Sequence, residues 1–203
     1  MEKTEIFIDA EYVLQSIRNL QDAPRGAKFT KSEFDWRKFI TYILNNRELS
    51  KVNYYTARMD INEDINTYRD QDRYLKELKK LLADYHINLR LGRMSKTTQK
   101  TSAKWGDDDG NGVITWVQKG IDTKIVWDMC ELVYNNYGNV TTALLVAGDE
   151  DFTDAIQKLN GLKIKTELVS FYRTGDTNSK ALGAAAKTRK VLGYKDLSAH
   201  GIL

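Results

Sequence analysis

Three acidic residues directly follow an apolar segment in the second half of the chain. Residues 143–147 (ALLVA) run without polar alternation into Gly148, as in a strand that is buried on both faces of a parallel sheet. Asp149, Glu150 and Asp151 come next, and a helical pattern of apolar residues begins behind them. This order predicts an acidic cluster at the carboxyl end of a central strand, where open α/β sheets bind their ligands. Because the carboxylates repel one another there, we expect them either to cap the following helix or to bind a cation.

Two more aspartates are predicted to lie near the same edge of the sheet. Asp9 ends a short apolar strand over residues 4–8, and a helical pattern follows it at once. Asp122 stands in the first turn of a helix predicted over residues 122–134, in the middle of its apolar face. One interpretation is that Asp122 only caps this helix. The other is that it leans over the edge of the sheet toward Asp9 and Asp149.

The residue types restrict the chemistry of such a site. The chain has one cysteine, Cys130, and two histidines, His86 and His200, which excludes internal disulfides and most zinc sites. A metal would be held by oxygen ligands, which favours Mg²⁺, Mn²⁺ or Ca²⁺. A few carboxylates from different elements suit Mg²⁺, and such ions hydrolyse phosphodiester bonds by activating water and stabilising the leaving oxygen. Asp128, on the flank of the same helix face, is interpreted as solvated or structural.

The composition indicates one globular domain. With 203 residues and 41% hydrophobic content, the chain can bury a full core as a single domain over residues 1–203. It has no run of 18 apolar residues and no charged-then-apolar segment at its start, so we expect a cytoplasmic protein without a membrane partner. The net charge of +3 weakly favours an anionic partner. The sequence leaves a homodimer open.

Predicted strands and helices alternate along the whole chain. The predicted strands are residues 4–8, 52–57, 87–91, 113–117, 141–147 and 163–171. Ser32 is the predicted cap of the helix before the second strand. The last strand alternates enough to lie at an edge, and residues 178–191 are predicted as a final helix. This succession indicates an α/β fold, specifically a three-layer α/β/α sandwich with a mostly parallel sheet.

Residues 92–118 are predicted to be an inserted basic loop or hairpin. Residues 113–117 would then pair back on residues 89–92. Residues 107–112 (DDDGNG) partly match a calcium-binding EF-hand loop, but Gln118 replaces the final glutamate, so a tight turn is favoured. The basic residues expected to contact nucleic-acid phosphates, here and near strand ends, are Arg93, Lys96, Lys100, Lys104, Lys119, Arg173 and Lys180.

Three segments share the motifs, order and spacing of a known family. They are residues 6–11 (IFIDAE), 119–129 (KGIDTKIVWDM) and 145–152 (LVAGDEDF). They resemble the FIDGxN, KGVD…VDM and LVSGDSDF segments of the NYN domain, a member of the PIN-like nuclease superfamily. The resemblance spans most of the chain. It implies a doubly wound PIN-like fold and metal-dependent ribonuclease chemistry, with an acidic site formed by Asp9, Asp122, Asp149 and Asp151.

The chemistry of phosphodiester hydrolysis suggests a role for each of these aspartates. Asp9 and Asp149 are expected to bind Mg²⁺ or Mn²⁺ directly, and Asp122 to be a third ligand or to hold the attacking water. Asp151 would support these ligands or bind a second ion. We expect the substrate to be RNA rather than DNA and the cleavage to be endonucleolytic.

The sequence departs from the family pattern at two positions. The family's asparagine after the first aspartate falls at Tyr12, and the aspartate near the end of its last helix falls at Lys187. These departures keep a second hypothesis open, a PIN-like module that binds nucleic acid or a protein partner without cleavage. A phosphohydrolase is less well supported, because no phosphate-cradling Gly-rich loop follows the first strand.

Overall fold

Strands and helices alternate along the chain in a computed structural model that describes residues 2–99, 113–135, 140–173 and 180–203. The strands are β1 (Lys3–Asp9), β2 (Glu48–Arg58), β3 (Ile87–Gln99), β4 (Val113–Lys119), β5 (Thr142–Val146), β6 (Lys165–Phe171) and β7 (Thr188–Leu192). The α-helices are α1 (Ala10–Arg18), α2 (Trp36–Leu44), α3 (Ile65–Leu81), α4 (Ile121–Asn135), α5 (Thr153–Gly161), α6 (Lys180–Ala185) and α7 (Tyr194–Ala199). Short 3-10 turns occur at Ala83–Tyr85 and Glu150–Phe152. None of the described helices has the length and apolar character needed to cross a membrane.

The strands form one mostly parallel sheet in the order β4-β3-β2-β1-β5-β6-β7. Among the described strands, β4 alone runs antiparallel, against β3. β1 lies between β2 and β5, so the two halves of the chain extend the sheet in opposite directions from this point. Open α/β sheets bind ligands outside the carboxyl ends of the strands at such a reversal. The ends of β1 and β5, where Asp9 and Asp149 follow, therefore flank the expected ligand position.

Apolar side chains pack on both faces of the sheet. Ile6 and Ile8 of β1 belong to one buried cluster with residues of α1, α2 and α3, whereas Phe7 belongs to a second cluster with residues of α4 and α5. This division follows from the geometry of a strand, in which successive side chains point to opposite faces. All five residues of β5 are buried, as predicted from its continuous apolar run. The packing fixes the backbone from which the acidic residues project.

The C-terminal part differs from the prediction of one helix over residues 178–191. Within the described residues, α6 ends at Ala185 and β7 follows, so β6 lies between two strands and is not an edge. The first four residues of β7 are exposed and only Leu192 is buried, so the sequence of this strand has no apolar pattern. The predicted cap of α2 is also wrong, because Asp35 rather than Ser32 accepts the backbone N–H of Lys38, at 3.0 Å.

The predicted basic loop is in part a β-hairpin. β3 continues to Gln99, and β4 pairs with its second half, beginning with Arg93 opposite Lys119. The antiparallel pairing is present, but residues 113–117 pair with residues 95–99 and not, as predicted, with residues 89–92. Lys100, Lys104 and residues 107–112 lie outside the described residues.

A partly buried ion pair ties α4 to the sheet. Arg90 Nε and Nη2 donate hydrogen bonds to the two carboxylate oxygens of Asp128, at 2.8 and 2.6 Å. The hydroxyl of Tyr55 donates to the same carboxylate at 2.8 Å. The Asp128 side chain is only 9% exposed. Asp128 is therefore structural rather than solvated, and its contacts orient the helix that presents Asp122.

Candidate active site

Asp9 is both the last residue of β1 and the cap of α1. Its Oδ1 accepts a hydrogen bond from the backbone N–H of Tyr12 at 3.1 Å. Burial raises the pKa of Asp9 to about 6, and the negative charge of Asp122 contributes to the increase. At neutral pH this carboxylate therefore holds an unfavourable charge, which a nearby cation would stabilise.

Asp122 is the second residue of α4 and not the cap of that helix. Gly120 turns the chain between β4 and α4 with a φ of +76°, a left-handed conformation that glycine adopts without strain. Burial raises the pKa of Asp122, and the charges of Asp149 and Asp151 raise it further. Asp122 is thus coupled electrostatically both to Asp9 and to the acidic residues after β5.

The acidic residues after β5 form a short turn ahead of α5. Asp149 Oδ1 accepts the backbone N–H of Asp151 at 3.0 Å and caps the 3-10 turn Glu150–Phe152. Both aspartate side chains are exposed. Because the cap uses one carboxylate oxygen of Asp149, it does not exclude a cation at the other oxygen.

A cleft of about 630 Å³ brings three of the four predicted aspartates together. Asp9, Asp122 and Asp149 line it, whereas Asp151 does not. They come from the end of β1, the start of α4 and the turn after β5, which are far apart in the sequence. Across the described part of the chain, none of the three forms an ion pair with a basic residue.

The residues of the cleft fit a hard divalent cation. Its polar lining supplies oxygen ligands and contains neither histidine nor cysteine. No three acidic, histidine or cysteine residues among those described are grouped closely enough to hold an ion between them. Mg²⁺, however, commonly binds one or two carboxylates and keeps several waters. Two of the three aspartates therefore suffice for this kind of site.

The basic residues predicted to contact phosphates do not all reach the cleft. Arg173 lines it, and its guanidinium carbon lies 5.2 Å from the centroid of the Tyr12 ring. Lys96 instead forms an ion pair with Glu63 and lies over the ring of Trp116. The other described members of the predicted set are exposed but do not line the cleft; they are Arg93, Lys119 and Lys180.

Comparison with known families identifies the chain. The sequence matches the NYN domain over residues 3–191, which is most of its length. The chain belongs to the NYN domain family. This family is part of the PIN-like superfamily.

The fold has a solved counterpart. A crystal structure of a protein of unknown function from Vibrio parahaemolyticus is similar, with a TM-score of 0.57 and 17% identity over 95% of this chain and 94% of that chain. At this identity the similarity shows a shared fold. No curated protein matches the sequence.

Two basic residues of this NYN domain, Arg18 and Lys31, line the cleft but were not predicted. Arg18 lies in the last turn of α1, on the same helical stripe as Glu11 and Gln15. These three polar residues are spaced by four and three positions, so they share one face of α1. This pattern in the sequence could have predicted that Arg18 faces the cleft. Lys31 lies outside the helices and strands, with its Nζ 4.7 Å from the Tyr74 ring centroid, and no sequence pattern predicts its place.

Tyr12, which stands where the family has asparagine, is largely buried. Its hydroxyl accepts the backbone N–H of Phe171 at 3.1 Å, and the two rings pack with centroids 5.8 Å apart. The polar atom of this side chain therefore links α1 to the end of β6. The NYN domain described here consequently has no side-chain amide at this position.

Lys187 is the second departure from the family pattern. It lies between α6 and β7, and its backbone N–H donates to the carbonyl of Thr166 at 3.0 Å. Its side chain is exposed and does not line the cleft.

Proposed function

We propose that this NYN domain is a metal-dependent ribonuclease that cuts RNA, in preference to DNA, at internal phosphodiester bonds with Mg²⁺ or Mn²⁺. The observation that supports it best is the cleft lined by Asp9, Asp122 and Asp149, none of which has a basic ion-pair partner among the described residues. Burial and mutual repulsion raise the pKa of Asp9 and of Asp122. A divalent cation would offset both effects. Membership of the NYN family supports the same activity.

Each aspartate has a separate role in this proposal. Asp9 and Asp149 hold the cation, and Asp122 orients the attacking water and accepts its proton, for which a raised pKa is suitable. Asp151 acts through its charge on Asp122. When bound, a divalent ion activates water and stabilises the negative charge on the leaving oxygen.

The substrate phosphates are proposed to contact the basic side chains of the cleft. Arg18, Lys31 and Arg173 line it together with the aspartates. Such contacts position a nucleic acid without selecting its sequence. Arg93 and Lys119, opposite each other in the hairpin, extend the basic surface beyond the cleft.

The packing supports the finer fold proposal as well. Buried clusters on opposite faces of the sheet draw on different helices, and the strand order reverses beside β1. Both features are expected of a doubly wound, three-layer α/β/α sandwich.

The activity is tested with purified protein and labelled RNA and DNA of one sequence, each in linear and circular form. We expect circular RNA to be opened with Mg²⁺ or Mn²⁺ but not in EDTA, because an endonuclease needs no free end. Asp149→Asn keeps the size and the cap of the turn but removes a ligand charge, so it should reduce cleavage at least 100-fold. Asp154→Asn, at an exposed position of α5 outside the cleft lining, is the matched control and should cut like the wild type.

The same assay distinguishes an alternative. A module that binds nucleic acid without cutting it is favoured by one observation, the engagement of Tyr12 with Phe171 where the family has asparagine. RNA that is bound by the protein but stays intact under all metal conditions would support that module and contradict the nuclease proposal. Equal cutting by wild type and Asp149→Asn would identify a contaminating nuclease.

A further inference from the structure

Trp116 is an aromatic residue of the cleft for which the proposed chemistry has no role. It lies on β4 and is only partly buried, and it lines the cleft together with Met94 and Gln118 of the hairpin. Lys96 is opposite Trp116 in the register, and its Nζ lies 5.3 Å from the ring centroid. Lys96 is also paired with Glu63, in the segment between β2 and α3, and this ion pair holds the ammonium group beside the indole.

The hairpin projects Trp116 beyond the edge of the parallel strands. The pairing of β2 with β3 ends at Arg58 opposite Arg93, and beyond Arg93 β3 pairs with β4 alone. Trp116 is opposite Lys96, three residues past that point, which corresponds to about 10 Å at about 3.4 Å per residue. The ring therefore stands above the edge at which the aspartates lie.

The strand order sets the length of the cleft. Trp116 is on β4, and Arg173 follows β6, five strand spacings away. At about 4.8 Å per spacing this is about 24 Å across the sheet. Asp9 and Asp149 follow β1 and β5, between these two ends. The cleft thus has the ring of Trp116 toward one end, carboxylates in the middle and Arg173 toward the other end.

This arrangement has the chemistry that binds single-stranded nucleic acid. Basic side chains contact the backbone of such a strand, and aromatic rings stack on its bases. Exposure of an aromatic ring is not sufficient evidence, since Trp127 on α4 is 68% exposed but does not line the cleft. Trp116 differs from Trp127 in that it lines the cleft that contains the aspartates.

We propose that Trp116 is a base-stacking residue, whose ring stacks on a base on one side of the phosphate at the aspartates. The proposal rests on the proposed nuclease function and adds a residue that positions the substrate. On the other side of that phosphate, the bound nucleic acid runs toward Arg173. Because every base has a π-face, stacking at Trp116 is expected to tolerate sequence.

Binding in EDTA tests the proposal without cleavage. The affinity of a labelled single-stranded RNA of 12 nucleotides is measured for wild type, Trp116→Phe, Trp116→Leu and Trp127→Leu, with the melting temperature of each variant. We expect Trp116→Leu to bind about 5- to 150-fold more weakly, because a leucine cannot stack. Trp116→Phe retains a ring and should stay within about 3-fold of wild type. Trp127→Leu should bind like wild type.

An abasic site in the RNA distinguishes stacking from a packing role. The abasic site is placed in turn at each position of the 12-mer. It should weaken binding by the wild type most at one position, and at that position it should have little further effect on binding by Trp116→Leu. Equal losses for the Phe and Leu variants, or abasic losses that simply add to that of Trp116→Leu, would overturn the stacking role. Cleavage with Mn²⁺ is measured in parallel. If the protein cuts RNA and Trp116→Leu binds normally, only this inference fails; if wild type neither binds nor cuts, the proposed function fails with it.

Discussion

Asp9 combines a favourable contact with an unfavourable environment. Its carboxylate caps α1, but burial and the charge of Asp122 raise its pKa from the ordinary 3.8 to about 6. The folded state therefore binds the proton more tightly than the unfolded state does. The contribution of this group to stability is fully present below pH 3.8 and is lost as the pH rises through about 6. At neutral pH the folded domain bears the cost of the charge unless a cation offsets it.

Asp9→Asn should raise the stability of the metal-free domain. Asparagine can still cap α1 while the buried charge disappears, so we expect a gain of up to about 3 kcal/mol at pH 7.5, the equivalent of about two pKa units. The gain should vanish at pH 4, and added Mn²⁺ should raise the melting temperature of wild type but not of the variant. Urea unfolding at both pH values measures this. Asp35→Asn, at the cap of α2, is the control and should show neither effect. A loss of stability at pH 7.5 would contradict the electrostatic explanation.

Tyr55→Phe and Arg90→Met should show how much each hydrogen-bond donor to the Asp128 carboxylate contributes to the free energy of unfolding. The variant removes one hydrogen bond to a charged group and leaves the two from Arg90. We expect a loss of about 1.5 to 3 kcal/mol in the free energy of unfolding. Arg90→Met should cost more, because it leaves the carboxylate without a cation. If Tyr55→Phe were the more costly variant, the ion pair would not be the main attachment of α4.

The step from β4 into α4 depends on a close contact at Gly92. A Cβ at this position would lie 2.6 Å from the carbonyl oxygen of Lys119 and 2.7 Å from Cδ1 of Ile121. Lys119 ends β4, and Ile121 begins α4 immediately before Asp122. Because Gly92 has no side chain, the start of α4 can pack closely against β3, and this packing positions Asp122 at the cleft.

Gly92→Ala should lower both stability and activity. The clash with backbone and with a branched side chain is expected to cost about 1 to 3 kcal/mol and to displace the start of α4. Cleavage of RNA by the remaining folded protein should fall as well, since Asp122 moves with the helix. Gly161→Ala is the control, because a Cβ there meets nothing within 4 Å. It should leave activity intact and change stability by less than about 1 kcal/mol. Normal activity of folded Gly92→Ala would show that Asp122 tolerates the shift.

The sequence predicts elements well where burial gives them a pattern. β5 is an almost continuous apolar run and β1 has an apolar centre at residues 6–8, and both strands are found where they were expected. β7 is not predictable in this way, because four of its five residues are exposed and it exists through pairing with β6. The prediction of Ser32 as the cap of α2 fails for a related reason: Ser32 and Asp35 are both good caps, and only the contact with Lys38 distinguishes them.

At the scale of the whole molecule, the sheet order determines which charges meet. The rule that parallel strands end at one edge predicts that Asp9 and Asp149 lie together. It does not predict which basic residues join them, because that depends on the orientation of α1 and on segments without a pattern. Arg18, Lys31 and Arg173 consequently line the cleft, while Arg93, Lys119 and Lys180 do not. A net charge of only +3 is thus compatible with a local basic surface at the cleft.

These basic residues should be measurable through the salt dependence of RNA binding. Each phosphate contact with a single strand contributes about −0.7 to the slope of log affinity against log salt. Three contacts, by Arg18, Lys31 and Arg173, predict a slope near −2 in EDTA from about 50 to 200 mM KCl. Replacing any one of them with alanine should make the slope shallower by about 0.7.

Lys80→Ala is the matched control for this series, because Lys80 is exposed in the last turn of α3 and does not line the cleft. It removes the same charge from the whole molecule, so a response to net charge alone would change its slope as well. We expect the Lys80→Ala slope to equal that of wild type, since only charges that touch phosphates release counterions from the RNA. Equal changes for Lys80→Ala and Arg173→Ala would mean that the strand does not follow the cleft.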